Sequence, residues 1–593
     1  MLVRSIENIL RDGLESGDED WIALVDQTLE LKGDRVTDEK TPAKGEQALK
    51  MSNVTRRDFL KIGGAGLAGV ALLGVTSCGG GGENEEQGGG KPIKGGVLQV
   101  TLQQDPPSLD PAIGYDTVTW PLEHAIFVTL ITYNGTAKGF VPWAAKSVPQ
   151  GENGGKRYVF DIKPGITFTN GEPVDAAAFK YAIQRILDPE TKSPLAGFYT
   201  NIVGAKDFQD NPNGDLAGIK ILSPTRIQFD LENPDQTFLQ TMSIPSASAV
   251  PKKAVQNLGA DFGSKPVTSG PFKLQEWKHG STLVLVKNQD YFDKATAVEL
   301  DEIDFTIGLD PHTELLRVEQ GSADYTFDGI PTADFNTVVN NPQWENYIYH
   351  ATINELAYVY MNIQMKPFDN PKVREAMQYA IDKKHIIQVL NGRGMVANQI
   401  LPPKVPGHDK SIEDIPYDPE KAESLLKEAG YQNEFGIDYW DSNEGERPKI
   451  DQVIQEDLSK VGIKASITSV SLDSYVSKMT TGTIQTGFSI WTQDFPDPSD
   501  FLNLLFNSSG IPATNQPKYS NPEVDKELNK AQYMLNRSER LQLYQKIQKQ
   551  ILADHPIVPL YYTVAYDFVS PKVGGFYIHP VWHRVYADWY LTK

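Results

Sequence analysis

The chain has 593 residues, 40% of them hydrophobic, and a formal net charge of −21 at pH 7. The negative charge argues against nucleic acid as a partner, because proteins that bind nucleic acid present a basic face to the phosphates. The hydrophobic content is that of a globular protein, and a body of about 500 residues is too long for one core, so the length predicts two or three domains.

Residues 1–50 are acidic and polar, and Met51 then opens the stretch "MSNVTRRDFLK", which has the form of a normal signal start. Two interpretations of residues 1–50 stay open. They are either a mis-assigned extension before the true initiator Met51, or a genuine leader with an amphipathic helix in "WIALVDQTLELK".

Residues 51–77 have the features of an export signal. Arg56 and Arg57 precede an uncharged run, 62–77, which is too short and too rich in glycine for a membrane span of about 20 apolar residues. The segment resembles a twin-arginine signal that ends in a lipobox-like "VTSC". That resemblance implies export by the twin-arginine route, although a retained membrane helix is the alternative.

Cys78 is the only cysteine of the chain, so it cannot form a disulfide within it. On the same resemblance, Cys78 becomes the first residue of the mature protein and carries lipid, which anchors the protein to the outer face of the cell membrane, at the cell surface or in the periplasm. Residues 78–96 are rich in glycine and charge and predict a flexible tether between this anchor and the body.

The body, residues 97–593, begins with a predicted strand over Val97–Leu102. The stretch "VFDIKPGITFTNGEPVDAAAFKYAIQRILDP" predicts strand, turn, strand, turn and then a helix over Ala176–Leu187, with Asp175 as its N-cap. Further on, "SGPFKLQEWKHGSTLVLVKNQDYF" predicts a hairpin that turns at His279-Gly280.

The second half is more helical. In "NPKVREAMQYAIDKKHIIQVLNG" the apolar residues Val373, Met377 and Ile381 recur at helical spacing. The stretch "DPEKAESLLKEAG" predicts a helix with its cap at Asp418 and a proline in the first turn. Near the end, "LNRSERLQLYQKIQKQILADHPIVPLYYT" predicts a helix and then a strand near Leu560. Strands that alternate with helices predict α/β lobes.

Several of these pieces, in this order, resemble the extracellular solute-binding proteins of ABC importers in the family of oligopeptide- and dipeptide-binding proteins (family 5). They extend from Leu98 to about Tyr562. The matching stretches are "PSLDP", "DIKPGITFTNGEPVDAAAFKYAIQRILDP", "SGPFKLQEWKHG", "LVKNQDYF", "YMNIQMKPFDNPKVREAMQYAID", "YDPEKAESLLKEAG", "GIKASI" and "WTQDFPDPSDFL".

The resemblance implies an α/β fold of two lobes, like a periplasmic binding protein, which closes on its ligand as a clamshell and has one lobe split into two domains. It implies that lobe 1 comprises residues 97–350 and 560–593 and that lobe 2 comprises about 351–559.

The function implied is that of a monomeric, lipid-anchored substrate-binding subunit of an ABC importer. It would capture peptides or similar amine-bearing solutes and deliver them to a membrane permease with its ATPase subunits. Three alternatives stay open: the same fold binding a sugar, an opine or a metal chelate, a lipoprotein hydrolase acting on cell-wall peptides, and a chemosensory or pheromone receptor subunit.

The stretch "WTQDFPDPSDFLN" contains the main ligand candidates. In peptide-binding relatives the matching Trp-x-x-Asp places an aspartate against the α-ammonium of the peptide, which implies this role for Asp494. Trp491 is expected to offer an apolar wall or a cation–π face. We assign Asp497 and Asp500 to helix capping and turns.

Three further ligand candidates come from the resemblance. Tyr115 and Thr117, just after "LDPAIG", lie where relatives approach the ligand. Asn362, in "YMNIQ", either contacts the ligand or holds the hinge.

The carboxylate of a peptide requires a partner such as arginine, and the candidates are Arg374, Arg393 and Arg447. Arg374 belongs to a helix stretch common in the family, so we expect it to be structural. The segment "DSNEGERPKI" does not match dipeptide-binding proteins clearly, so the length of the peptide stays open.

The sequence contains no histidine pair with metal-ligand spacing, no Gly-x-Ser-x-Gly, no phosphate loop and no dinucleotide fingerprint. We therefore expect no metal site, no cofactor and no enzymatic activity.

Overall fold

The computed structural model describes residues 91–296 and 298–593. The predicted export signal with Arg56 and Arg57, the predicted lipidation site Cys78 and nearly all of the glycine-rich tether lie outside the described residues.

The strands, in chain order, are β1 Val97–Leu102, β2 Ile131–Tyr133, β3 Phe140–Pro142, β4 Arg157–Asp161, β5 Ile219–Ser223, β6 Arg226–Asp230, β7 Phe272–Lys278, β8 Thr282–Lys287, β9 Glu302–Ile307, β10 Tyr325–Thr326, β11 Ile348–Met361, β12 Gly394–Val396, β13 Phe435–Ser442, β14 Ile463–Val470, β15 Thr486–Thr492, β16 Ile557–Val569, β17 Val573–Gly574 and β18 Tyr590–Leu591.

The α-helices are α1 Thr119–Ile126, α2 Ala176–Leu187, α3 Ala205–Asp210, α4 Phe238–Thr241, α5 Lys252–Leu258, α6 Pro311–Glu319, α7 Thr332–Val339, α8 Pro371–Ala380, α9 Lys383–Val389, α10 Pro419–Glu428, α11 Arg447–Lys460, α12 Leu472–Thr480, α13 Pro498–Phe506, α14 Pro522–Gln532 and α15 Arg537–Ala553.

Local signals place many of these elements correctly. The Asp175 side chain accepts a hydrogen bond from the backbone N–H of Ala178 at 3.0 Å and so caps α2 as predicted. Asp418 caps α10 in the same way, through Lys421 at 3.0 Å. The hairpin of β7 and β8 turns at Gly280, whose φ of 67° is one that glycine adopts without strain.

One expectation was wrong in detail. The strand predicted after Pro164-Gly165 forms only an isolated bridge between Thr167 and Pro173, because the turn between them brings the chain back too soon for a ladder. The helical spacing of Val373 and Met377 is confirmed by α8, which ends at its C-cap Ile381, and the same stretch continues into a second helix, α9. Asp382 separates them because its carboxylate caps a new helix, accepting from the backbone of Lys384 and His385.

Most strands join one large mixed sheet with the order β14-β13-β15-β11-β16-β10-β1-β9-β8-β7, and β12 pairs with β16. The long antiparallel strands β11 and β16 lie in the middle and extend through the molecule. Smaller sheets are formed by β4, β6 and β5, by β2 and β3, and by β17 and β18.

The hydrophobic cores divide along β11 and β16. Residues up to Tyr349 and from Phe568 onward pack into three clusters, which we call lobe 1. Residues from Leu356 to Tyr562 build two clusters, which we call lobe 2. One residue of the lobe 2 sequence, Phe495, packs in a lobe 1 cluster, so the two lobes are in contact there.

The ladder between β11 and β16 is irregular where the lobes meet, with a register shift between Thr352 and Leu356. Glu355 lies in this stretch. Its carboxylate accepts hydrogen bonds from Thr492 of β15, at 2.6 Å, and from Thr563 of β16. One side chain therefore connects three strands at the break.

No helix within residues 91–296 and 298–593 has both the length and the apolar character needed to cross a bilayer.

A glycine next to α1 leads to a stability prediction. A Cβ at Gly270 would lie 2.4 Å from the carbonyl carbon of Ile126 and 2.7 Å from the backbone N of Phe127. Because these atoms are backbone and cannot rotate away, Gly270→Ala is expected to lower the free energy of unfolding by roughly 1–3 kcal/mol. Chemical denaturation followed by circular dichroism measures this change.

Gly197→Ala is the matched control, since a Cβ there meets nothing within 4 Å. The control is expected to unfold within about 0.5 kcal/mol of the unmodified protein. Equal denaturation midpoints for Gly270→Ala and Gly197→Ala would contradict the prediction.

Candidate ligand-binding site

Asp494 follows β15 and lies at the contact between the lobes. It is 6% exposed, and its Oδ2 accepts a hydrogen bond from the hydroxyl of Tyr115 at 2.9 Å. Tyr115 belongs to lobe 1 and Asp494 to lobe 2. The structure thus brings together two of the predicted ligand residues in one interlobe hydrogen bond.

The Asp494 carboxyl lacks a cationic partner. Burial raises its pKa to about 7, although hydrogen bonds with Tyr115 and Asp500 act in the opposite direction. Burial, together with the negative charge of Asp494, also raises the pKa of the Tyr115 hydroxyl. Within the part of the chain that the structure describes, no lysine, arginine or histidine forms an ion pair with Asp494. A negative charge at this position is therefore uncompensated.

Asp497, three residues further on, is in the opposite situation. Arg540 donates to both of its oxygens, at 2.7 and 2.8 Å. Burial favours the neutral acid, but the charge and hydrogen bonds of Arg540 hold the pKa of Asp497 below its ordinary value. Asp497 also caps α13 through the N–H of Ser499. The predicted structural role of Asp497 is confirmed.

Asp500 organises the loop from within α13 and is completely buried. Its Oδ2 accepts the backbone N–H of Asp494 at 3.1 Å and the indole N–H of Trp491 at 3.3 Å. Burial and the neighbouring charge of Asp494 raise the pKa of Asp500. Trp491 is half-buried and packs on a lobe 2 core, so it supports the loop from the lobe 2 side. Its predicted contact with a ligand stays a prediction.

Aromatic rings from both lobes lie beside Asp494. Tyr115 is 38% exposed, and the centroid of its ring lies 5.7 Å from that of Trp120 and 6.3 Å from that of Phe198. Phe198 in turn lies 6.1 Å from Phe495 of lobe 2. The carboxylate is therefore bordered by apolar surface, which strengthens any electrostatic interaction made there.

The remaining predicted residues are placed differently. Thr117 is exposed on the same loop as Tyr115. Asn362 lies beyond the other end of β11, on the order of 20 Å along the strand from the Asp494 end. Its amide donates to the carbonyl oxygens of Gly482 and Ile484. The structure therefore does not bring Asn362 to the Asp494 cluster.

The three candidate arginines all have protein partners. Arg374 donates to the carbonyl oxygens of Asp554 and Phe368, in the structural role expected of it. Arg393 donates to the Thr332 hydroxyl of lobe 1, and Arg447 pairs with a buried aspartate of β13. Each guanidinium already bonds to other protein groups, and none of these partners is Asp494.

Sequence reasoning missed two polar residues beside Asp494. Gln493 is buried, and its side-chain amide donates to the carbonyl of Pro580 in lobe 1 at 2.7 Å. Its backbone N–H donates to the carbonyl of Asn354, in the irregular part of β11, at 3.1 Å. Gln493 could have been predicted as a site residue because it directly precedes Asp494 in the sequence. No local pattern indicates Asn354 as a site residue.

No group of three or more histidine, cysteine or acidic side chains in residues 91–296 and 298–593 is arranged to hold a metal ion. The Asp494 carboxyl can accept hydrogen bonds and can pair with a positively charged group.

Comparison with known proteins assigns the fold to a family. The family model described as "Bacterial extracellular solute-binding proteins, family 5 Middle" matches residues 139–513. The chain belongs to this family. Its members are solute-binding proteins of ABC importers, and the predicted resemblance is confirmed.

This family 5 protein is 28% identical to the oligopeptide-binding protein OppA of Bacillus subtilis over 83% of its own length and 92% of the relative. It is 30% identical to heme-binding protein A of Haemophilus influenzae over 72% of its own length and 80% of the relative.

Among solved structures, the periplasmic binding protein DppA from Helicobacter pylori, in complex with the peptide STSA, matches with a TM-score of 0.74 and 26% identity. The match covers 84% of this family 5 chain and 99% of that chain. Such neighbours are two-lobed periplasmic binding proteins, so the predicted two-lobed α/β fold is confirmed.

Proposed function

We propose that this protein captures peptides, or similar solutes with a free ammonium group, between its lobes and delivers them to the permease of an ABC importer. A lipid on Cys78 holds it at the outer face of the cell membrane. The observation that carries the proposal is the buried Asp494 carboxyl, which joins the lobes through Tyr115 and has no ion pair within the described residues.

An ammonium group supplies what Asp494 lacks. A buried carboxyl whose pKa is raised to about 7 ionises more readily when a cation arrives, because the opposite charge favours the charged form. Charge-assisted hydrogen bonds between ammonium and carboxylate are about 2.7–2.9 Å long and roughly twice as strong as neutral ones. The closed, water-excluding arrangement strengthens this interaction, because charge-assisted hydrogen bonds are stronger in a low-dielectric site.

The position of the site links binding to closure. Tyr115 and Asp494 come from different lobes, and Gln493 also donates to Pro580 of lobe 1. A ligand held among these groups contacts both lobes only in the closed state, so its binding favours closure. The oligopeptide-binding relative and the peptide complex of the H. pylori neighbour support peptides as the ligand class.

Isothermal titration calorimetry on a defined panel tests the proposal. The panel contains di- to pentapeptides, their N-acetylated forms, a polyamine, a sugar and heme. We expect free-amine peptides to bind, and N-acetylation or Asp494→Asn to weaken binding by roughly 30-fold or more, since losing one partner of a buried charge pair costs about 2–5 kcal/mol.

Asp473→Asn is the matched control, because it removes the same charge from an exposed position on lobe 2 and is expected to leave the dissociation constant within about twofold. If peptides give no heat while the sugar or heme binds, the ligand class is wrong although the family assignment stands. If acetylated and free peptides bind alike, Asp494 is not the ammonium site.

A further inference from the structure

Two acceptor oxygens on residues next to the Asp494 segment lack hydrogen-bond donors. They are Oε1 of Gln493 and Oδ1 of Asn354, and each is buried without a partner. Gln493 is 7% exposed and Asn354 is 3% exposed. Buried acceptors are normally paired, so two of them beside one site require an explanation.

Both residues are fixed to the Asp494 segment. Gln493 directly precedes Asp494, and its backbone N–H donates to the Asn354 carbonyl at 3.1 Å. Asp500 fixes the same segment from α13, because its Oδ2 accepts the backbone N–H of Asp494 at 3.1 Å. The two acceptors therefore come from β11 and from the loop after β15, on neighbouring segments next to Asp494.

The orientation of the Gln493 amide follows from its partner. Its nitrogen faces the Pro580 carbonyl at 2.7 Å. A carbonyl only accepts hydrogen bonds, so the NH₂ end must point there and Oε1 must point elsewhere. Asn354 lies where β11 departs from regular register, between Thr352 and Leu356, so its side chain is not bound to the strict alternation of a strand.

The surplus of acceptors defines the ligand group. A primary ammonium has three N–H donors and no acceptor, whereas each added methyl group removes one donor and keeps the charge. We propose that Gln493 and Asn354, with Asp494, form a three-acceptor site that selects an unmethylated primary ammonium. This inference rests on the proposed function, because it specifies which cation Asp494 accepts.

Methylation of the ligand tests the inference without changing the protein. The probes are trialanine and pentaalanine with a free, monomethylated, dimethylated or trimethylated N-terminus, and calorimetry gives the dissociation constants. With the unmodified protein, the trimethylated forms are expected to bind about 100-fold more weakly than the free forms, since hydrogen bonds to a charged group are the strong ones. Equal affinity across the series would overturn the inference.

Protein variants assign the effect to named oxygens. Asn354→Leu and Gln493→Met remove one acceptor each and are expected to weaken binding of the free-amine probes by about 10-fold or more. Binding of the trimethylated probes is expected to change by less than about threefold, because they do not donate to these oxygens. Asn354→Asp keeps an acceptor at the position and is expected to retain discrimination.

The outcomes separate the two hypotheses. If the variants weaken all probes by the same factor, Gln493 and Asn354 are only structural, and the inference fails while the ammonium site at Asp494 stands. If neither alanine peptide binds in any form, the proposed function itself fails. The melting temperature of each variant, compared with that of the unmodified protein, distinguishes a loss of binding from a loss of folding.

Discussion

At pH 5 the protein is expected to bind a free-amine peptide about 50-fold more weakly than at pH 7.5. The reason is the Asp494 carboxyl, whose pKa is raised to about 7 by burial. At pH 5 nearly all unliganded molecules hold a proton on this group, and that proton must leave before an ammonium can pair with it. The affinity therefore falls about tenfold per pH unit below 7.

Other ionisable groups near Asp494 do not reverse this direction. Burial and the neighbouring charge of Asp494 raise the pKa of Asp500, in the same direction as that of Asp494. The pKa of Asp497 is lowered, so Asp497 stays ionised opposite Arg540. Above pH 8 the ligand itself loses charge, because an α-amino group has a pKa of about 8. The affinity is thus expected to be greatest between about pH 7 and 8.

Titration calorimetry from pH 5 to 8, in buffers of different ionisation enthalpy, measures both the affinity and the proton released. Asp494→Asn is expected to abolish the pH dependence, whereas the exposed control Asp473→Asn is expected to retain it. An affinity that stays constant from pH 5 to 7.5 would show that Asp494 is already ionised in the unliganded protein or does not meet the ligand.

The same group predicts the opposite trend for the unliganded fold. The pKa of Asp494 is about 4 in the unfolded chain and about 7 in the native state. Between these two pH values, the native state holds a proton on Asp494 that the unfolded chain has released. The contribution of this group to stability is therefore complete at acidic pH and is lost as the pH rises through about 7. Ligand binding and unliganded stability respond to pH in opposite directions.

Most predictions that depend on neighbours in the sequence succeeded, whereas contacts between distant parts of the chain have no local signal. The helix α2 and its cap are encoded within a dozen residues, so the pattern sufficed. The order of the central sheet is set by strands far apart in the chain, such as β1 beside β10, and no local pattern specifies that pairing. The family resemblance, rather than periodicity, supplied the two-lobed arrangement.

The candidate site shows the same division. Asp494 and Tyr115 were both expected near the ligand, but their direct hydrogen bond joins residues 379 positions apart and could not be read from either stretch. Gln493 and Asn354 look like ordinary polar residues in the sequence. Only their burial without a donor distinguishes them, and that property exists only once the strands are assembled.

The contrast between Asp494 and Asp497 likewise depends on the fold. Both carboxylates belong to one short loop, and they differ because Arg540, on α15, reaches Asp497 alone. The position of Asp497 before a proline and a helix was enough to predict its role as a helix cap. It did not reveal that a buried ion pair with Arg540 keeps Asp497 in its charged form.

Arg540→Met is expected to lower the free energy of unfolding by about 3–5 kcal/mol, because it leaves the buried Asp497 without its counter-charge. The Arg540 and Asp497 side chains are only 3% and 8% exposed, so water cannot replace the guanidinium. The variant also loses the hydrogen bond from Arg540 to the carbonyl of Ala531. Chemical denaturation of the unliganded protein at pH 7 measures the loss.

Two comparisons identify the cause as an uncompensated charge rather than lost packing. Adding Asp497→Asn to Arg540→Met removes the charge and is expected to recover part of the lost stability. Lys206→Met breaks an ion pair whose side chains are 77% and 64% exposed and is expected to cost less than about 1 kcal/mol. If Lys206→Met and Arg540→Met destabilise the protein equally, the burial of the Arg540–Asp497 pair is not the cause of the destabilisation.

The pH dependence of the Arg540→Met variant provides the strictest test. In the unmodified protein the pKa of Asp497 is lowered, so the stability from this pair is present at neutral pH and is lost only as the pH falls below about 4. Without Arg540, burial alone acts on Asp497 and raises its pKa, so the deficit of the variant is expected to shrink on acidification. The difference in unfolding free energy between the two proteins should therefore narrow from pH 7 to pH 4. A difference that stays constant over this range would show that the destabilisation comes from a cavity and not from the stranded carboxylate, because the loss of packing does not depend on pH.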